Sequence, residues 1–344
     1  MKEGRNINVD LLRGLCAYVV VFIHTPGDSS RLFWLSVLPP ANAVFAMLAG
    51  WYMLTGLTCC KETSQETKQG QEILSWLKER GHRILLPYAF WSLIYIGLNI
   101  ALDALLRRPS NFNFHSVGQW VSIILLGRGA TQLWFLVTLF YAQALLYAYW
   151  ILVDFLSKHQ YVETSRHQIR GVVYALKMGG VLVIASICFY LYAQCYSKDQ
   201  FPATFYFMAK FLFLGAFLSI YSSYINQHNN QILLLCIAFI IIKMGTVRFG
   251  TWIGAGDAYA MAWILLAQSL PAFSTPRWIS NLGTYSMGIY VIHVLIIVGL
   301  TTVMRKIGLG YIIESIPALI MAFFYFVISW VAVVVLRRFK IPGL

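Results

Sequence analysis

An all-α, polytopic membrane helix bundle of about ten transmembrane helices is the fold this sequence predicts, on three observations. The 344 residues are 59% hydrophobic and only 11% charged, with a mean hydropathy of +0.68. That is far more apolar than a soluble domain of ordinary composition, so lipid is the solvent. Windows of about 20 mainly apolar residues, the length that crosses a bilayer core, recur from end to end. No repeat, low-complexity tract or Pro/Ser-rich linker interrupts them, so residues 1–344 are expected to form one membrane-embedded domain with no appended soluble domain.

The amino terminus, MKEGRNINVD, leads into apolar sequence without a small-residue cleavage site, so the first segment is expected to stay as a helix. The windows run roughly 10 to 25, 32 to 57, 84 to 106, 132 to 156, 172 to 193, 202 to 224, 231 to 248, 253 to 273, 279 to 303 and 312 to 335. Only a Gly-rich turn, Phe249 to Gly256, separates the seventh from the eighth. Between the third and fourth, HSVGQWVSIILLG is too short to span and reads as a re-entrant or interfacial segment. The longest polar loop, Cys59 to Arg83, ends in a stretch compatible with an amphipathic helix on the membrane surface.

The net charge is +13. Its basic residues are scattered over short loops and helix ends, which points to topology and not to nucleic acid. With the amino terminus inside, fourteen lysines and arginines fall on the cytoplasmic side and eight outside, so both termini are expected in the cytoplasm. The six cysteines show no metal-ligand spacing, and Cys59 and Cys60 fall in a cytoplasmic loop. Neither a metal nor a disulfide framework is indicated.

Ionisable groups within membrane helices are costly and face the bundle interior, so they are the search list for function. Asp10 and Arg13, three residues apart, are placed to pair on one helix face. Arg13 and His24 are eleven residues apart, close to three whole turns, so a guanidinium and an imidazole share one stripe about 16 Å apart. The imidazole suits proton acceptance and the guanidinium suits phosphate or carboxylate. Arg80 and Arg83 lie one turn apart before Pro87, able to grip one anion or simply to flank a membrane helix on its cytoplasmic side. In SNLGTYSMGIYVIHVLI, Ser286, Tyr290 and His293 share roughly one face, as acceptor-positioning groups or as packing glue, while Gly283 and Gly288 permit close helix approach. Lys177, Lys210 and Lys243 are read as snorkelling near window ends. Asp257 and Glu314 receive no role.

Four stretches in order resemble one family. NVDLLRGLCAYVVVFIH, with Arg13 and His24 separated by ten residues, is similar to the opening signature of the bacterial acyltransferase-3 family. RGHRILLPY resembles its R-x-x-R before the third helix, and LWFLVTLFY (Leu133 to Tyr141) and LGTYSMGIYVIH (Leu282 to His293) resemble later signatures. The resemblance covers the whole chain. It implies an integral membrane O-acyltransferase of the bacterial inner membrane, moving a short acyl group from cytoplasmic acetyl-CoA or another acyl-CoA to a hydroxyl of a glycan or polysaccharide.

On that resemblance Arg13, Arg80 and Arg83 would neutralise donor phosphates. His24 would act as general base, directly or through an acyl-histidine. Two departures are visible. Family members that modify O-antigen carry a Glu where this chain has LWFLVTLFYAQAL, so no carboxylate role is carried over there. The extracytoplasmic hydrolase-like domain of some members is not seen. A transporter or flippase is the rival reading, since intramembrane charges and Gly-interrupted helices also mark substrate pathways, but no inverted repeat supports it.

Overall fold

The computed structural model describes residues 6–26, 30–60, 69–105, 107, 116–127, 132–159, 166–197, 200–248, 256–271 and 281–344. They form helices, with no strand among the described residues. In chain order these are α1 (Ile7–His24), α2 (Ser30–Val37), α3 (Ala41–Cys60), α4 (Gln69–Arg80), α5 (Leu86–Leu105), α6 (Val117–Leu126), α7 (Trp134–His159) and α8 (Arg166–Gln194). There follow α9 (Ala203–Ile220), α10 (Ser222–Gln227), α11 (Asn229–Arg248), α12 (Gly256–Ser269), α13 (Leu282–Lys306), α14 (Gly310–Ser315) and α15 (Ala318–Leu336).

Among the described residues eight helices are long and apolar enough to cross a membrane, against the ten windows of the sequence. The difference lies in the seventh and eighth windows. The apolar part of α11 described in full is Asn229–Gly245. The eighth window yields only α12, whose 14 residues span about 21 Å and fall short of a core about 30 Å thick. The segment expected not to span forms α6, ten residues long. Cys59 and Cys60 are the last residues of α3 and not part of a loop.

The chain divides into two compact units, one of residues 1–45 and 223–344, the other of residues 46–222. In the first, α1 is the central element and packs against α13, α15 and α12. Its start is tied down by amides: Asn6 caps the helix by accepting from the Asn8 and Val9 N–H groups, and the Asn6 amide donates to Gln268. Asn8 donates to the Leu270 carbonyl at 2.8 Å. These bonds satisfy main-chain groups that helix ends leave open. Farther along, Tyr18 donates to the Leu319 carbonyl at 2.8 Å, and Phe22 packs on Ala318 and Ala322.

In the second unit α3 and α9 touch through glycine. A side chain at Gly50 would strike the Leu212 carbonyl, and one at Gly215 would strike the Met47 backbone, the small-residue contact typical of membrane helices. The hydroxyls of Thr55 and Ser219 meet across the same seam at 3.0 Å. Lys210 departs from its snorkelling role. It is buried on α9, its ammonium 4.6 Å from the Phe211 ring centroid and 4.9 Å from that of Phe189, with Tyr192 and Phe207 close by. Lys177 likewise sits over the Trp150 ring at 4.3 Å.

The stretch expected to lie on the membrane surface runs into the third span instead, as one helical segment from Ser75 to Ala104. Pro87 supplies no N–H to the Arg83 carbonyl and its ring crowds it. The chain absorbs this in a π turn over Gly81–Leu85, where the Leu86 N–H bonds the Gly81 carbonyl five residues back. The hydroxyls of Tyr88 and Tyr141 then donate to the carbonyls of Ile123 and Leu125, fixing the end of α6 to α5 and α7.

Candidate active site

Two pairs of expected residues are described, one in each unit. In the first unit α1 and α13 run in the same direction, in contact near their starts because both carry glycine there. A Cβ on Gly283 would lie 2.7 Å from the Asp10 Cα, and one on Gly14 would lie 2.9 Å from the Leu282 Cβ. Two backbones this close hold the helices in one register. That register brings His24, at the end of α1, against His293 on α13, with ring centroids 5.1 Å apart and planes at 47°.

His293 is completely buried. Its Nδ1–H donates to the carbonyls of Tyr290 at 2.7 Å and Ile289 at 3.2 Å. This fixes the neutral tautomer with Nε2 as a lone-pair acceptor. Nε2 is buried and has no hydrogen-bonding partner among the described residues. A buried acceptor left open costs about 1–3 kcal/mol, and a proton donor brought to it relieves that cost.

The other expected members of this stripe divide. Arg13 pairs with Asp10 at 3.9 Å, as their spacing indicates, and its side chain is 38% exposed. Tyr290 is buried, and its ring centroid lies 6.1 Å from that of His293. Ser286 is buried too, but its hydroxyl donates to the Gly283 carbonyl at 2.8 Å. That bond ties the hydroxyl proton to its own helix and leaves the oxygen lone pairs to accept. Asp257 lies in the first turn of α12, where a carboxylate opposes the helix dipole favourably. The side chain of Glu314 lies outside the described residues.

In the second unit Arg80 and Arg83 flank the start of the π turn. Both lie within electrostatic reach of Glu79, but their closest contacts differ. The Arg80 guanidinium lies 6.0 Å over the ring of Trp76, one turn earlier. Trp76 in turn lies flat on Tyr147 of α7, with centroids 4.2 Å apart and planes at 4°. Arg83 pairs with Glu79 at 2.7 Å, and both side chains are more than half exposed. A pair this exposed contributes little to stability, which leaves the Arg83 guanidinium able to exchange the carboxylate for another anion.

A family model described as an acyltransferase domain matches residues 6–338, a span that contains all seven expected site residues. No curated protein and no solved structure matches the chain.

Proposed function

The chain belongs to the acyltransferase-3 family and is a multi-pass membrane acyltransferase; from that premise we propose that it transfers acetyl from cytoplasmic acetyl-CoA to a hydroxyl of a cell-surface glycan or its precursor. The setting we propose is the bacterial inner membrane with both termini in the cytoplasm. The excess of lysine and arginine on that side supports it.

The observation that carries the chemistry is the His24–His293 apposition with His293 Nε2 open. Nitrogens lie about 1.2 Å from an imidazole centroid, so rings 5.1 Å apart reach a N···N distance of about 2.8 Å when two nitrogens face each other. In this reading a small rotation of the rings, not present in the structure, lets His24 donate one N–H to the open His293 Nε2 and turn its other nitrogen, as a lone pair, to the acceptor hydroxyl. His293 is a positioning residue, its own tautomer set by the main chain.

As the acceptor oxygen attacks the thioester carbonyl carbon, its proton passes to His24. The C–S bond of the tetrahedral intermediate then breaks, and the imidazolium returns the proton to the departing sulfur. The products are an O-acetyl ester and free CoA, with His24 restored. Arg80, Arg83 and Arg13 are assigned to the anionic groups of the donor, which carries several phosphate charges. Tyr290 is assigned to acceptor positioning beside the histidines; Ser286, whose hydroxyl proton is bonded to a backbone carbonyl, is not.

The test is acetyl transfer in membranes containing the full chain, supplied with radiolabelled acetyl-CoA and envelope glycans. Label in the glycan fraction with equimolar CoA release is the expected result. CoA binding without transfer to any glycan fraction would overturn the acceptor assignment.

A further inference from the structure

In the second unit, one helical turn from the tyrosine that stacks on Trp76, lies a buried polar atom with no hydrogen-bonding partner among the described residues. Gln143, on α7, is 3% exposed, and its Oε1 has no hydrogen-bonding partner among the described residues. Inside a lipid-embedded bundle no bulk water relieves such an oxygen, so it is destabilising until something donates to it. Gln143 lies one turn from Tyr147, at i,i+4 spacing and about 40° apart around the helix. Tyr147 carries Trp76 flat on its ring, and Trp76 carries the Arg80 guanidinium. The aromatic stack between α4 and α7 thus has a cation one turn along α4 from Trp76 and an open amide oxygen one turn along α7 from Tyr147.

An oxygen of this kind takes only an N–H or O–H donor. An acyl-CoA offers phosphates at one end and, beyond them, a pantetheine arm whose two secondary amides each carry an N–H. A cation and a buried acceptor joined by one aromatic stack match the two kinds of group that this ligand carries. Resting on the donor assignment above, we propose that Gln143 Oε1 accepts a hydrogen bond from a pantetheine amide, and so distinguishes an acyl-CoA from nucleotide phosphates that lack the arm. A site that buries an acceptor for a ligand N–H selects against ligands without it, because the acceptor is then left unpaired.

The experiment compares two probes on the purified full-length protein, wild type and Gln143→Met. Coenzyme A carries phosphates and arm; adenosine 3′,5′-bisphosphate carries phosphates alone. Methionine keeps the volume and removes the open oxygen, so thermal stability is expected to hold or rise. Loss of one such hydrogen bond should weaken coenzyme A roughly 5- to 10-fold and leave the bisphosphate within about 2-fold. Unchanged coenzyme A affinity would overturn the inference and leave the donor assignment standing. Equal weakening of both probes would reduce Gln143 to a structural residue. A wild-type protein that binds neither probe would overturn the donor assignment itself.

Discussion

The histidine pair in the first unit and the arginine pair in the second are held in opposite ways. His293 is fully buried and fastened by two main-chain carbonyls, and the helices that carry the two imidazoles touch through Gly14 and Gly283. Arg80 and Arg83 stand at a widened turn, one resting on an aromatic ring and the other paired with an exposed carboxylate. A proton-transfer group tolerates little displacement, since misplacement by about 1 Å can cost roughly 10²-fold in rate. A group that neutralises phosphate works through a charge at the end of a long side chain and tolerates more. The first region is therefore expected to fail sharply under small steric changes, and the second to fail by degrees.

The sharpest way to break that contrast is Gly283→Val. Its side chain would start within 2.8 Å of the Asp10 Cα and Cβ, so the helices must part. Transfer is expected to fall by roughly 10²-fold or more, measured as label incorporated per inserted protein in membranes. Near-normal turnover would mean that the glycine contact does not set the histidine geometry.

A smaller effect is expected at His293→Gln. Glutamine fits poorly between the Tyr290 and Ile289 carbonyls and His24, so kcat should fall roughly 10- to 10²-fold while acetyl-CoA binding holds. Loss of binding in step with kcat would mark a structural role.

Smaller still is the change expected at the arginines. Arg80→Ala should weaken acetyl-CoA binding roughly 10-fold and Arg83→Ala somewhat less, with kcat preserved at saturating donor. Arg80→Lys should recover only part of the loss, because an ammonium lacks the guanidinium's planar fork of donors. Unchanged donor affinity in both alanine variants would return these residues to topology determinants. The smallest expected effect is Glu79→Gln, which frees Arg83 from an exposed pair and should tighten donor binding by about 2-fold. Weaker binding would show that the carboxylate positions the guanidinium.

What the sequence disclosed follows the range of the interactions concerned. The Asp10–Arg13 pair was legible because three residues on a helix are neighbours by geometry alone. The spans were legible from hydropathy, except that the described part of the eighth window, α12, is shorter than a bilayer core. The His24–His293 contact was not legible in position, because nothing local says which face of α1 meets which face of α13. Gly283 and Gly288 hinted only that some close approach occurs, and Gly14 drew no notice. The π turn was signalled by Pro87, which removes one donor and crowds one carbonyl, but the interfacial reading of the preceding stretch hid it. Trp76 was missed although it stands at i−4 from Arg80, the spacing at which a guanidinium meets a ring. Gln143 was invisible, since an unpaired buried oxygen exists only once its surroundings are assembled. Lys210 was misread for the same reason: its four rings come from two helices, α8 and α9.

The most direct measurement on the central claim is the rate of acetyl transfer by His24→Gln, on membranes whose acetyl-CoA affinity is determined in the same preparation. Glutamine can hydrogen-bond at that position but accepts no proton near neutral pH. The expected result is a loss of roughly 10²- to 10⁴-fold in transfer with donor affinity intact. Near-normal turnover by His24→Gln, alongside abolished turnover by His293→Gln, would contradict the assignment of His24 as the base and reverse the two roles.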